Sequence, residues 1–154
     1  MEILIKENES QQSEIAVKTE VLNQLEGKVK EWVEDHVDKR KLWFSSDFLP
    51  ADEKMNDDQE TNYKQLRERS RGIKDEVRVA VALNLLTEEG LPHFHRLIAQ
   101  HLGDRSFWSK WNNMWTAEED RHGAVIRDYV RDAHLFSFRE VELMQFHYIE
   151  SGFN

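Results

Sequence analysis

Residues 115–123 read WTAEEDRHG, and they set two adjacent carboxylates and an imidazole, Glu118, Glu119 and His122, in a stretch whose tryptophans recur at helical spacing. An amphipathic helix keeps its apolar side chains on one stripe and its charges on the other face. Charged groups that fall on the stripe either turn out to solvent or point inward at something that offsets the cost of burying them. Which of these holds decides how the chain is read.

Working outward, the periodicity predicts a helix from about Ser106 to Ala133, with Trp108, Trp111, Trp115, Ile126, Tyr129 and Ala133 on its stripe. At about 100° per residue, His122 lies near the centre of that stripe. Glu118 and Glu119 flank it at similar angles, so geometry alone does not choose between them. A second long helix is expected just upstream, from about Lys74 to Leu102, with Val77, Val81, Leu85, Leu91, Ile98 and Leu102 aligned. Glu88 falls about 20° from the direction of Val81, inside the stripe, while Glu89 points about 100° further round. Pro92 has no N–H to give the carbonyl of Glu88, so a bend is expected there. Gly103-Asp104 should end the helix, because glycine tolerates the left-handed stop.

The rest of the chain fits the same class. Val21, Leu25, Val29, Trp32 and Val33 give a helix over roughly 14–37, after a frayed or disordered N-terminus over 1–13. Residues 38–57 (DKRKLWFSSDFLPADEKMND) read as a loop, residues 58–70 as a short polar helix with a break at Gly72, and residues 138–149 as a last amphipathic helix. There is no hairpin signal. The expectation is an all-α protein of long antiparallel helices, with one partial helical domain over 14–154.

Composition narrows the function. With 154 residues and a net charge of −9, the chain is long enough for one core and too acidic for general nucleic-acid binding. No apolar run reaches the roughly 18 residues of a membrane span, and the N-terminus lacks a secretory pattern. With no cysteine, thiolate metal sites and cysteine nucleophiles are excluded. A cytoplasmic location is the default. Charge is uneven, however: Lys64, Arg67, Arg69, Arg71, Lys74 and Arg78 face only Glu68, Asp75 and Glu76 between Thr61 and Ala80. Such a segment is a candidate docking surface for an acidic partner, against the plainer reading of a solvated helix face laced with ion pairs.

Glu119 and His122 have the i, i+3 spacing at which both side chains reach one metal. An unpaired buried carboxylate costs several kcal/mol, and a cation is one way to offset it. Oxygen and imidazole donors without thiolate suit iron or manganese better than zinc. The competing reading makes His122 a core histidine satisfied by a neighbouring acid. None of His36, His93, His95, His101, His134 and His147 completes a second Glu-x-x-His; His95 shares the stripe of Glu88.

LLTEEGLPHF (85–94 from Leu85) followed by MWTAEEDRHG (114–123) resembles the soluble acyl-(acyl carrier protein) desaturases, di-iron enzymes of the ferritin-like class. The likeness extends back through QLRERSRGIKDE and WFSSDFLPAD to VKEWVEDHV, covering roughly residues 28–154. It implies a ferritin-like antiparallel helical bundle with Glu88 as a terminal iron ligand, Glu119 rather than Glu118 as a bridging one, and His122 as the nitrogen ligand. It also puts Trp43 on a route for electrons to two irons, manganese being the less expected metal. The resemblance implies desaturation of a saturated acyl chain in fatty acid biosynthesis, with acyl carrier protein and a ferredoxin-type donor as partners and a homodimer as assembly. In a plant the location would be the plastid stroma, although no transit peptide is visible. The family's site takes a second glutamate and a second Glu-x-x-His from two further helices, and the chain ends at YIESGFN without them. The expectation is therefore the N-terminal half of such a bundle. The alternatives are a homodimer that binds and oxidises iron, or a helical interaction protein without enzymatic activity.

Overall fold

The computed structural model describes residues 2–50, 57–103 and 106–152. Among them there are six α-helices and no strand, in keeping with the expected ferritin-like helical bundle: α1 (Glu2–Lys39), α2 (Asp57–Arg71), α3 (Asp75–Glu89), α4 (Leu91–Leu102), α5 (Phe107–Asp132) and α6 (Phe138–Glu150). A short 3-10 turn, Ser45–Asp47, follows α1. The expected loop over 38–57 is non-helical around that turn, and its part over 51–56 lies outside the described residues. No helix among the described residues is long and apolar enough to cross a membrane.

Two expectations need correction. α1 begins at Glu2 rather than near Glu14. Residues 2–13 lack an apolar stripe, but three glutamates, two glutamines, a lysine and a leucine are good helix formers and there is no glycine or proline, so local propensity permits the helix without a pattern. The single helix expected over 74–102 is two, separated by Gly90. Proline cannot donate to the carbonyl four residues back, and its ring disfavours helical geometry at Leu91. The chain therefore closes α3 at Gly90, whose N–H donates to Thr87 O at 3.1 Å, and starts again with Pro92 in the first turn of α4, where a missing N–H costs nothing. Gly103 ends α4 as expected, at φ 77°.

The chain divides into two compact units. One comprises residues 1–40 and 98–113. In it Val29 and Val33 are buried, Trp108 Nε1 donates to Leu22 O at 3.0 Å, and the Phe107 N–H donates to Glu26 Oε1 at 2.9 Å. The carboxylate of Glu26 thus serves the unsatisfied N-terminus of α5, where negative charge is favourable.

The second unit comprises residues 41–97 and 114–154. Its core is Leu85, Val130 and Leu135, each 2% exposed or less, with Ile73, Val81, Ile126, Tyr129, Phe136 and Val141 packed around them. α5 ends here in a Schellman turn: the Leu135 N–H donates to Val130 O at 3.1 Å and the His134 N–H to Arg131 O at 3.3 Å. His134 takes the left-handed position, φ 50°, normally left to glycine. The end of α5 is then held by side chains from far upstream. Arg67 Nε donates to Asp132 O at 3.1 Å, Ser70 Oγ to Ala133 O at 2.6 Å, and Arg78 Nη1 to Leu135 O at 2.5 Å. Arg78 also donates to Ile73 O and Ser70 O, so one guanidinium gathers three carbonyls. α6 opens with Ser137 and Glu140 capping each other's backbone N–H groups, which holds the Glu140 carboxyl below its ordinary range.

Candidate metal centre

The last turn of α3 and the middle of α5 meet where glycine allows it. A Cβ on Gly123 would lie 3.1 Å from Glu88 Cβ, closer than nearly all real contacts of this kind. Gly123 therefore lets the helices approach at the level of Glu88, and the side chains of one turn on each helix converge.

Glu88, Glu119 and His122 each offer a ligand atom, and these atoms all lie within 4.8 Å of one another. His122 Nδ1 is 2.8 Å from Glu119 Oε2, within hydrogen-bond distance. Glu88 is half-buried, and its carboxyl is held above the ordinary value by burial first and by the charge of Glu119 second, with His122 pulling the other way. Two carboxylates forced together, one already shifted toward its neutral form, make a site that a cation would relieve. A cation drawing on both groups would compete with the hydrogen bond between Glu119 and His122. The oxygen and nitrogen donors fit a first-row metal such as iron or manganese.

The structure separates the neighbours that the sequence left ambiguous. Glu118 turns from the group toward Arg121, whose Nη2 is 3.9 Å from its carboxylate. Glu89 also turns away, accepting from Arg127 Nη2 at 2.7 Å and Nε at 3.1 Å, an ion pair that ties α3 to α5 beside the site. His95 on α4 pairs with Thr116 Oγ1 at 2.7 Å. Trp43 was reached in the sequence only through resemblance, and the structure brings it to His122: the rings stack with centroids 5.6 Å apart and planes 23° from parallel. Arg121 was missed altogether. Its guanidinium carbon lies 5.1 Å from the centre of the Trp43 ring, and its Nη1 donates to Trp43 O at 3.4 Å. Consecutive residues on a helix do not face each other, and no local pattern announces that both 121 and 122 will meet one indole.

The six basic residues named in the sequence divide. Arg67 and Arg78 spend their donors on backbone carbonyls, as described above. Lys64, Arg69, Arg71 and Lys74 are exposed. Lys64, Arg67 and Arg71 line a cleft of about 740 Å³ together with Tyr63, Glu68 and Asp132. A second, mainly apolar cavity of about 690 Å³ is lined by Leu85, Val130, Phe136, Phe138 and Val141, with Arg127 and Arg131 at its rim. Leu85 is one turn of α3 before Glu88.

A family model described as fatty acid desaturase matches residues 17–154. Among curated proteins, the chain is 32% identical over 139 residues to a Mycobacterium tuberculosis protein named for acyl-(acyl carrier protein) desaturase activity, DesA1, covering 88% of the chain and 40% of that protein. It is 34% identical over 148 residues to acyl-(acyl carrier protein) desaturase 6 of Oryza sativa, covering 88% of the chain and 34% of the relative. It is 31% identical over 143 residues to a seed-specific stearoyl-(acyl carrier protein) 9-desaturase of Brassica napus, covering 88% and 35%. The chain spans about two fifths or less of the length of these relatives.

Proposed function

The chain belongs to the fatty acid desaturase family, and on that premise we propose that it carries half of the metal site of an acyl-(acyl carrier protein) desaturase, with Glu88, Glu119 and His122 as ligands to an iron pair. The convergence of those three side chains within 4.8 Å carries the reading. A carboxylate site of this class takes one glutamate from each of two helices and a Glu-x-x-His from each of two others. The described residues supply one of each. The remaining donors would come from outside them.

The reaction would remove one hydrogen from each of two adjacent carbons of a saturated acyl chain. O2 is reduced to two waters by those hydrogens together with two electrons from a ferredoxin-type donor and two protons from solvent. The metal pair, when bound, supplies the O2 activation; the chain's residues supply its setting. Glu88 and Glu119 bring negative charge that favours the higher oxidation state, and His122 brings a neutral nitrogen once its proton has left. Trp43, stacked on His122, is placed to pass electrons inward. The apolar cavity beside Leu85 has the size and lining for a lipid chain. Lys64, Arg69, Arg71 and Lys74 offer exposed positive charge to an acidic carrier protein.

Iron titration of the purified chain, wild type against Glu119→Ala and His122→Ala, tests the site, and product analysis after incubation with acyl carrier protein thioesters, O2 and a reduced ferredoxin tests the reaction. Specific iron binding that both substitutions abolish supports the ligand set, and double-bond formation supports the activity. Iron oxidation without desaturation would favour a ferroxidase role. Iron binding that survives both substitutions overturns the reading.

A further inference from the structure

The chain between α1 and the 3-10 turn brings one large side chain, Trp43, to the site, while its neighbours Leu42 and Phe44 are 58% and 54% exposed. Phe48 meets the indole edge-on, ring centroids 5.8 Å apart, and a residue lying over the ring can keep it on His122. Arg121 is in position to do so. Its side chain is only 13% exposed, unusual for a cation. Among the described residues its charged partner is Glu118, at 3.9 Å, and its bond to the Trp43 carbonyl is 3.4 Å long. These are modest returns for burying a guanidinium. It also lies over the Trp43 indole, its guanidinium carbon 5.1 Å from the ring centre, a contact that the broad guanidinium of arginine makes better than an ammonium.

We propose that Arg121 is a positioning residue of the site: its guanidinium seats the Trp43 indole, which stacks on His122 and fixes the imidazole that ligates the metal. The residue touches backbone and ring of the same tryptophan, so one side chain restrains both the segment and the orientation of its indole. His122 itself is 46% exposed, and its Nδ1 is tied to Glu119 Oε2 at 2.8 Å. The stack adds a restraint on the plane of the ring, and orientational freedom lost on binding weakens a ligand. The proposal rests on the ligand role of His122 given above.

The test has two readouts, one independent of metal. In 1H–13C spectra of the metal-free protein, an indole stacked on His122 displaces the imidazole signals by its ring current. The signals are assigned by their loss in His122→Gln, and Trp43→Ala gives their positions with the indole gone. Arg121→Gln should move them to the Trp43→Ala positions, and Arg121→Lys, which keeps charge without the planar fork, should move them part of the way. Far-UV circular dichroism should stay unchanged, since Arg121 bonds no helix backbone. In the second readout, Arg121→Gln should weaken Co2+ binding, followed by its visible absorption, about tenfold. Signals that stay at wild-type positions in Arg121→Gln overturn the proposal. So do displaced signals with unchanged Co2+ affinity, because Arg121 would then hold the tryptophan without serving the ligand. If the wild type binds no Co2+, the metal reading falls, and the ring signals alone decide whether Arg121 holds the stack.

Discussion

Gly123→Ala sets two known effects against each other where α5 passes the Glu88 turn of α3. In an exposed helix interior the exchange stabilises by about 1 kcal/mol, because glycine loses more backbone freedom on folding. Here the new methyl would stand 3.1 Å from Glu88 Cβ. Carbon atoms rest at about 3.5–4.0 Å, so the end of α3 must retreat by roughly 0.5 Å. The neighbour is a Cβ, bonded directly to the backbone, and cannot swing aside as the tip of a long side chain would. Overpacking of this kind costs about 1–3 kcal/mol. The balance is a net loss of about 1 kcal/mol, or roughly 2–4 °C in melting temperature for a chain of this size, measured by urea and thermal unfolding of the metal-free protein. The same retreat carries Glu88 away from Glu119 and His122, and Co2+ affinity should fall about tenfold, since such sites tolerate only about 0.5 Å of misplacement. A variant that is more stable by about 1 kcal/mol, with Co2+ affinity unchanged, would refute the close approach and with it the geometry of the site.

The raised Glu88 carboxyl makes the metal-free protein lose stability as pH rises from the ordinary carboxylate value through its folded value; Glu88→Gln removes that loss, so its stability relative to wild type should improve as pH rises above the ordinary carboxylate range in urea unfolding. An advantage that shrinks over the same range would show the carboxylate to be stabilised rather than strained. Arg78→Met strips three backbone carbonyls of their donor and should cost about 2–4 kcal/mol; a loss under about 1 kcal/mol in the same assay would mean that solvent replaces it. His134→Gly relieves the left-handed backbone at φ 50° and should stabilise by about 1 kcal/mol, and a loss instead would show that the imidazole contributes there.

Local pattern made the helices and the odd carboxylates legible. Glu88 and His122 stand out because each interrupts an apolar stripe, and a stripe is a property of a few turns of chain. The break at Gly90 escaped the same reasoning because the stripe runs straight across it; only the proline shows, and proline alone does not say whether a helix bends or stops. Arg67 and Arg78 looked like a docking surface because charge counted along the chain cannot reveal that each also reaches a carbonyl at the end of α5, 65 and 57 residues downstream. Arg121 was invisible for a related reason: its partner, Trp43, comes from a segment without periodicity, 78 residues away. Helical spacing alone left Glu118 and Glu119 equivalent and only the resemblance chose between them; in three dimensions one meets His122 and the other Arg121.

The grip of Arg67, Ser70 and Arg78 on the carbonyls at the end of α5 has a consequence further up the same rod. His122 sits ten residues upstream of Asp132, about 15 Å along a rigid axis. A helix pinned at its tail can neither slide nor screw past its neighbours without breaking those bonds, so the height and azimuth of every residue on it are set from that anchor. Loosening the grip should therefore be felt as a misaligned Glu119 and His122 well before the rod itself melts.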